Sequence, residues 1–384
     1  MDKNLIKNIQ STFIKEFNST PTLVFSPGRI NIVGEHTDYN DGFVFPAAID
    51  KGIVVAIDKS NTKHSSVIAL NMNERVNFSL NEIKPIDKGN WKNYILGIIA
   101  EIKKTDKKID NFNLVFGGNI PSGAGMSSSA ALENSVIFGL NELFKLNFSK
   151  KEMILISQKA EHNFVGVKCG IMDQYASMFG QKKSAILLNC KNLDAAFVKI
   201  DLKNYTFLLI NTNVKHSLAE STYNKRRAVC EKIAALLNKN SLTEVTENDL
   251  LVIKKKVSNS EFQKALYVIQ ENNRVISAYQ AVKNNDTKLL GKILYASHNG
   301  LQNQYKVSCD ELNFLVDLGK QDSNVIGARM MGGGFGGCTI NIIKKDAIKS
   351  FKKEVLKTYY KKFNNNCSFY TVKLSDGTRV VKFN

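Results

Sequence analysis

The chain has 384 residues, of which 43% are hydrophobic and 23% charged, and its formal net charge is +18 at pH 7. This length exceeds what one hydrophobic core usually fills, and the composition is typical of soluble globular proteins, so we expect two folded domains and exclude a fibrous or disordered chain. No stretch approaches the roughly 18 uninterrupted apolar residues of a membrane span, and the first residues lack the apolar core of a secretory signal, so we expect a cytoplasmic protein without a membrane partner.

The positive charge does not by itself indicate a nucleic-acid partner. Seven of the 53 basic residues are arginine, and the lysines are spread along the whole sequence. Nucleic-acid binding needs basic residues concentrated on one surface, so we expect solvated surface charge and no nucleic acid as partner. The six cysteines are scattered without a CxxC pair or a neighbouring histidine, which indicates free thiols.

The first part of the chain is predicted to be one helix followed by a sheet and further helices. Apolar residues recur at helical spacing over residues 1–18. Short apolar runs between Gly, Asn and Asp then predict strands at 22–25, 30–33, 43–45, 53–57, 67–70 and 75–80. Helical periodicity returns at 91–103, 127–143 and 151–164, with a strand at 112–116. This pattern indicates an α+β domain, which we place at residues 1–200.

A second pattern, in which long helices dominate, begins after residue 200. We expect a strand at 207–210, helices at 217–237, 261–282 and 287–302, a glycine turn that enters a strand over 328–343, a helix at 347–360 and a last strand at 367–372. The second domain is therefore predicted to cover residues 201–384.

The first informative motif is SPGRINIVGEHTDYNDG, residues 26–42. It concentrates Arg29, Glu35, His36, Asp38 and Tyr39, which a core strand could not bury without hydrogen-bond partners. Sugar hydroxyls are both donors and acceptors and suit such a surface. A polar turn with a surface salt bridge is the alternative, and composition alone does not separate the two.

The second motif is GGNIPSGAGMSSSAALE, residues 117–133, between a predicted strand and a predicted helix. Glycines let backbone N–H groups turn inward, and a helix N-terminus adds partial positive charge, so this segment predicts a phosphate-binding loop. Its serine hydroxyls suit phosphates or Mg²⁺, but serine is also an ordinary N-cap, and we expect one of the three serines to be only a cap. The Walker motif and the HRD and DFG signatures of protein kinases do not occur in the sequence, so those folds fit poorly.

The third motif is GARMMGGGFGGCTI, residues 327–340, with five glycines in six residues, which favours a functional loop over a simple hairpin. Two carboxylates, Glu161 and Asp173, stand twelve positions apart with glycines between them, so they can converge on one site from separate elements. Tyr223 opens a predicted helix, where it is placed to stack or hydrogen-bond, although an interface aromatic is the plain alternative.

Taken in order, these segments resemble the galactokinase branch of the GHMP kinase superfamily over nearly the whole chain, through GRINIVGEHTDYNDG, PSGAGMSSSAALE, CGIMDQ, STYNKRR and ARMMGGGFGGCTI. The resemblance implies an α+β, two-domain GHMP kinase fold. In it, an N-terminal domain of mixed sheet and helices and a C-terminal domain of helices on an antiparallel sheet enclose the active site, and some C-terminal segments pack back on the first domain. It further implies transfer of the γ-phosphate of ATP to the C1 hydroxyl of galactose, with Mg²⁺ as cofactor. We expect galactose and Mg·ATP as partners of a monomer or weak dimer.

The resemblance also implies roles for single residues. The implied galactose contacts are Arg29, Glu35, His36, Thr37, Asp38, Asp173 and Tyr223. The implied ATP contacts are Pro121, Ser122, Gly123, Ala124, Gly125, Met126, Ser127, Ser128 and Ser129, and the implied Mg²⁺ ligands are Ser129 and Glu161. Asp173 would accept the proton of the C1 hydroxyl, and Arg29 would counter the charge that develops during transfer.

Two rival functions stay open at this point. A kinase of the same fold that acts at C1 of N-acetylgalactosamine or another sugar differs from a galactose enzyme only in pocket shape, which sequence does not display. A non-catalytic galactose sensor is a rival of another class, and the intact serine run together with Arg29 and Asp173 argues against it.

Overall fold

The computed structural model of the protein describes residues 2–87, 90–215 and 219–382, without the side chains of 215 and 219–223. The helices are α1 (Lys3–Phe17), α2 (Lys92–Lys103), α3 (Ser128–Phe144), α4 (Lys150–Ala160), α5 (Met172–Phe179), α6 (Ala219–Leu236), α7 (Glu247–Val252), α8 (Asn259–Lys283), α9 (Thr287–Gly300), α10 (Asp310–Gln321) and α11 (Ile348–Phe363). The strands are β1 (Thr22–Asn31), β2 (Phe43–Val44), β3 (Pro46–Lys59), β4 (Ser65–Ala69), β5 (Glu74–Phe78), β6 (Phe112–Gly118), β7 (Ser184–Asn189), β8 (Ala195–Lys199), β9 (Tyr205–Lys215), β10 (Val325–Met330), β11 (Gly336–Lys344), β12 (Ser368–Thr371) and β13 (Arg379–Val380).

The first half of the chain is built on a six-stranded sheet in the order β13-β1-β3-β6-β4-β5, antiparallel except between β4 and β6. Successive side chains of a strand face opposite sides, and β3 shows this directly. Val54 and Ala56 pack with α1, whereas Val55 and Ile57 pack with the core under α2, α3 and α4. Because both faces are covered, residues 53–57 of β3 are apolar without interruption.

The second half has an antiparallel sheet in the order β10-β11-β9-β12. One face of β9, carrying Leu208 and Ile210, packs with α10 and α11. Its other face, with Leu209, belongs to a core that also contains Ile30 and Ile32 at the end of β1. The two sheets therefore share a core at the place where β1 leads into the polar turn of residues 34–42.

Several segments differ from the sequence-based expectations. Strand β3 extends well beyond the predicted 53–57, and the small sheet β2-β7-β8 contains two strands that periodicity did not indicate. Strand β13 pairs with β1, Val24 opposite Val380, so a segment from beyond residue 200 lies in the first sheet. The domain boundary at residue 200 stays a prediction. Among the described residues, no helix combines the length and the apolar character needed to cross a membrane.

Candidate active site

The site is organised around an ion pair between Arg29, on β1, and Asp173, in the first turn of α5. The guanidinium binds the carboxylate through two bonds, Nε to Oδ1 at 2.8 Å and Nη2 to Oδ2 at 3.0 Å. Arg29 is 4% exposed, whereas the Asp173 side chain keeps 31% of its surface open. Burial alone lowers the pKa of Arg29, but the carboxylates of Asp173 and Glu35 outweigh it and raise that pKa above its ordinary value.

The serine-glycine loop, residues 121–129, joins this pair from the other side. The third nitrogen of Arg29, Nη1, donates to the carbonyl of Gly125 at 2.5 Å, and its backbone N–H donates to the carbonyl of Met126. Ser127 donates its hydroxyl to Asp173 Oδ2 at 2.6 Å. One carboxylate therefore meets both the end of β1 and the loop that precedes α3.

The local conformation of the loop exposes backbone toward solvent. Gly123, Gly125 and Ser127 all have positive φ, at 70°, 65° and 58°. Buried Ala124 and Met126 anchor the loop, while Ser122, Gly123, Gly125 and Ser128 stay exposed; Pro121 and Ser129 are half-buried. Ser127 is the N-cap of α3, yet its hydroxyl makes no capping bond, so the expectation that a serine here serves only as a cap is not met by this residue.

The glycine-rich loop, residues 332–337, lies directly against the serine-glycine loop. A Cβ added at Gly332 would lie 3.6 Å from the carbonyl oxygen of Gly125, and one added at Gly337 would lie 3.5 Å from that of Gly123. The second and third sequence motifs are more than 200 residues apart in the chain, yet they lie side by side in the same site.

The polar turn contributes three side chains to the same place. Glu35 accepts the N–H of Gly332 at 2.8 Å, and His36 Nδ1 lies 2.8 Å from the hydroxyl of Tyr39. Burial, and then the positive charge of Arg226, lower the pKa of His36 to about 3, so its imidazole is neutral at pH 7. Burial and the neighbouring Asp173 carboxylate raise the pKa of Asp38 to about 7.

Thr37 differs from its neighbours in the polar turn. Its buried hydroxyl lies within hydrogen-bond distance of two carbonyls, those of Gly34, at 2.9 Å, and Phe43, at 2.7 Å, which share its single proton. These bonds close the turn, and Thr37 is not among the residues that line the cavity described next.

A cavity of about 160 Å³ opens between these elements. Its polar wall combines the polar turn with the segment of Glu161 and Asp173, and the members are Arg29, Glu35, His36, Asp38, Glu161 and Asp173. The rest of the lining is Val167, Cys169, Gly170, Met172, Gly332 and Gly333.

Glu161 and Ser129 lie together behind Asp173. Glu161 accepts from Cys169 Sγ at 3.0 Å and from Gln174 Nε2 at 2.8 Å. Burial raises the pKa of Glu161, with Ser129 near enough to oppose that shift, and burial raises the pKa of the adjacent Glu133 further still. Oε1 of Glu133, fully buried, accepts no hydrogen bond within the described part of the chain.

These oxygen atoms fit Mg²⁺, which prefers one or two protein oxygens completed by water and phosphate. A cation here would also offset the electrostatic repulsion between the carboxylates of Glu161 and Glu133. Among the described residues, no group of three or more His, Cys, Asp or Glu side chains is arranged to hold a metal by itself, so the protein's own share would be small.

Tyr223 belongs to α6, but its side chain lies outside the described residues, so its role stays a prediction. Two residues that sequence reasoning did not single out occupy the site. Gln174 joins Glu133 and Glu161 through Nε2, and Arg329 is bonded to Glu35 at 3.1 Å. Arg329 lies within the third sequence motif, and its position beside the glycines is the only sequence signal that could have identified it.

Comparisons with known proteins agree with this arrangement. The family model for the GHMP kinases N terminal domain matches residues 93–181, and that for GHMP kinases C terminal matches residues 278–362. The mevalonate kinase of Methanococcus jannaschii shares the fold, with a TM-score of 0.65 at 19% identity over 93% of this chain and 99% of that one. Fold and site thus define a GHMP kinase, with the α+β architecture that the sequence led us to expect.

Closer relatives narrow the class. The model named galactokinase galactose-binding signature matches residues 11–59. The galactokinase of Thermosipho africanus is 43% identical over 94% of this chain and 99% of its own, and that of Clostridium acetobutylicum is 40% identical over 93% and 94%. The structure of Lactococcus lactis galactokinase complexed with galactose superposes with a TM-score of 0.93 at 34% identity, covering 98% of this chain and 99% of that one. The chain belongs to the galactokinase family, and it is an ATP-dependent sugar kinase.

Proposed function

We propose that this chain transfers the γ-phosphate of ATP to the C1 hydroxyl of galactose, giving galactose 1-phosphate and ADP. The observation that carries the proposal is that the polar cavity and the serine-glycine loop both contact the carboxylate of Asp173. Asp173 faces the polar cavity while it accepts hydrogen bonds from Arg29 and from Ser127 of the serine-glycine loop. A sugar in the cavity and a triphosphate on the loop would therefore meet at Asp173.

Glu35, His36 and Asp38 are the proposed galactose contacts within the cavity. Carboxylate oxygens accept hydrogen bonds from hydroxyl groups, and the second nitrogen of the neutral His36 imidazole, Nε2, donates or accepts according to the tautomer, since Nδ1 is engaged by Tyr39. Together these side chains can match hydroxyls that both donate and accept. Thr37 would act by closing the turn that presents them. Tyr223 completes the proposed set from α6.

Asp173 would orient the C1 hydroxyl and take its proton as the oxygen attacks the γ-phosphate in line. The bidentate bond to Arg29 fixes the direction of this carboxylate, so its main contribution is placement of the hydroxyl. Arg29 would also offset negative charge as it moves onto the transferring group.

The ATP phosphates would lie on the exposed backbone of residues 121–129, at the N-terminus of α3, where amide dipoles favour anions. Ser129 and Glu161 would hold Mg²⁺. When bound, Mg²⁺ neutralises charge on the β- and γ-phosphates.

The test begins with a sugar panel. The purified chain is incubated with Mg·ATP and galactose, N-acetylgalactosamine, glucose or mannose, and the phosphate is located by phosphorus NMR. Galactose 1-phosphate as the main product supports the proposal. A main product phosphorylated at C6, a preference for N-acetylgalactosamine, or ATP use without sugar dependence would overturn it.

The Asp173→Asn variant tests the chemistry. It keeps the shape but removes the charge, and we expect kcat to fall about 100-fold or more, with galactose binding still measurable by calorimetry. Asp317→Asn, at an exposed carboxylate on α10, is the matched control and should leave kcat unchanged. Full activity of the folded Asp173→Asn protein would refute the assigned role.

We further propose that the protein works in the cytoplasm as a monomer or weak dimer. Its free cysteines, Cys169, Cys190, Cys230, Cys309, Cys338 and Cys367, support a reducing compartment. Sedimentation at several protein concentrations measures the state of association.

A further inference from the structure

Arg329, near the end of β10, is one of the most deeply buried side chains described, with no exposed surface. Its guanidinium donates to three backbone carbonyls, those of Ile32 at 2.7 Å, Met330 at 2.6 Å and Asn31. Asn31 is the last residue of β1, and Ile32 follows it toward the polar turn. Arg329 therefore fastens the start of that turn to the sheet of the second half.

The fourth acceptor of Arg329 is the carboxylate of Glu35. Nη2 donates to Oε1 at 3.1 Å, and the N–H of Gly332 donates to the same oxygen at 2.8 Å. Neither bond involves Oε2, although Glu35 lines the cavity. Both donors thus hold one oxygen of the carboxylate, and within the described part of the chain no hydrogen bond takes up Oε2, which leaves it for a ligand.

We propose that Arg329 is a positioning residue for sugar recognition: by fixing Oε1, it makes Glu35 present Oε2 to one particular sugar hydroxyl. The inference rests on the proposed function, because it requires a sugar in the cavity. Arg329 itself touches no substrate, since the cavity wall includes Glu35 and Gly332 but not Arg329.

The geometry requires arginine at this position. A planar guanidinium directs its N–H groups along fixed, diverging lines, which here reach four acceptors in two segments of the chain. The ammonium of lysine has three donors on a flexible stem and cannot reproduce that fork. Arg329→Lys therefore keeps the charge beside Glu35 while it loosens the direction of the carboxylate.

The experiment compares galactose with its 2-, 3-, 4- and 6-deoxy analogues, using kcat/KM for the wild type, Glu35→Gln and Arg329→Lys. The hydroxyl that Glu35 contacts is the one whose removal abolishes the penalty of Glu35→Gln. If Arg329 acts through Glu35, Arg329→Lys should raise the galactose KM about tenfold or more, as for loss of a charge-assisted hydrogen bond. Its penalty should vanish for the same deoxy sugar.

A purely structural role predicts a different pattern, in which Arg329→Lys lowers kcat/KM by the same factor for every sugar, and that result would overturn the inference. Val355→Ala, on the buried face of α11 and outside the cavity lining, is the destabilised control. Urea unfolding should show its lower stability, with sugar preference as in the wild type.

If Arg329→Lys does not fold, the double variant Arg329→Met/Glu35→Gln replaces it, because removing both charges leaves no buried ion unpaired. It is compared with Glu35→Gln alone. If Arg329 acts through Glu35, the two variants have the same kcat/KM for galactose and for each deoxy sugar, and a further loss in the double variant would refute the inference. The inference is refuted as well if Glu35→Gln lowers kcat/KM by the same factor for galactose and for all four deoxy sugars. Wild-type turnover of galactose tests the proposed function separately, so the two can fail independently.

Discussion

Gly170 lies so close to Asp38 that a single methyl group should disturb the sugar pocket while sparing the fold. A Cβ added at Gly170 would stand 2.2 Å from Asp38 Oδ2, 2.3 Å from its Cγ and 2.7 Å from its Cβ. Ordinary contact begins at 3.4 Å, so the Asp38 carboxylate must shift by at least 3.4 minus 2.2, or 1.2 Å. The φ of Gly170 lies outside the left-handed region, so alanine brings no backbone strain of its own.

A displacement of about 1 Å at a binding group can reduce turnover roughly 100-fold, equivalent to about 2.7 kcal/mol. We therefore expect Gly170→Ala to lower kcat/KM for galactose by about that factor, mainly through KM. The KM for ATP should change much less. Steady-state kinetics with each substrate varied in turn, together with thermal unfolding, measure these quantities.

Gly166→Ala is the matched control, because alanine is disfavoured at Gly166 by the backbone conformation and at Gly170 by a steric clash. Gly166 has φ of 83° with no atom within 4 Å of an added Cβ, so alanine there meets strain without a clash. It should cost about 1–2 kcal/mol of stability and leave the galactose KM unchanged. Unchanged galactose kinetics in Gly170→Ala, or equal kinetic losses in both variants, would refute the reasoning.

Three further changes test other contacts. Ser127→Ala removes the 2.6 Å bond to Asp173 and should reduce kcat about tenfold; unaltered kcat would show that Arg29 alone orients the carboxylate. Because the pKa of Asp38 is raised from 3.8 to about 7, its contribution to stability is present below pH 4 and is lost as pH rises toward 7. Asp38→Asn should therefore gain Tm relative to the wild type across that range, and a constant Tm difference would contradict the shift. Arg274→Met leaves the buried Glu271 without its 2.5 Å partner and should cost about 3–5 kcal/mol in urea unfolding, whereas a loss below about 1 kcal/mol would be inconsistent with a buried pair.

Sequence predicted the residue types of the site because each motif is local. The glycines and serines of residues 121–129 and the polar run of residues 34–42 are each contiguous, and their chemistry can be read without a fold. The distance between Arg29 and Asp173 could not be predicted, since 144 positions separate them and only the packing of α5 against β1 sets it.

Local rules failed where a distant partner competed with them. Ser127 occupies an N-cap position, but the carboxylate of Asp173 takes its hydroxyl. Arg329 looks like an interruption in a core strand until the polar turn is folded against it. Strand β3 passes through Asp50, Lys51 and Gly52, which break the apolar pattern, while Asp50 exchanges hydrogen bonds with the backbone of Lys373.

The pairing of β13 with β1 has a consequence for how the protein is made on the ribosome. Val24 is synthesised early and its partner Val380 very late, and the hydroxyl of Ser26 likewise bonds to that of Thr378. Until then one side of β1 exposes unpaired N–H and C=O groups at Val24 and Phe25, four to five residues before Arg29. The nascent first sheet thus carries an open edge throughout elongation, when chaperones and neighbouring polypeptides compete for it.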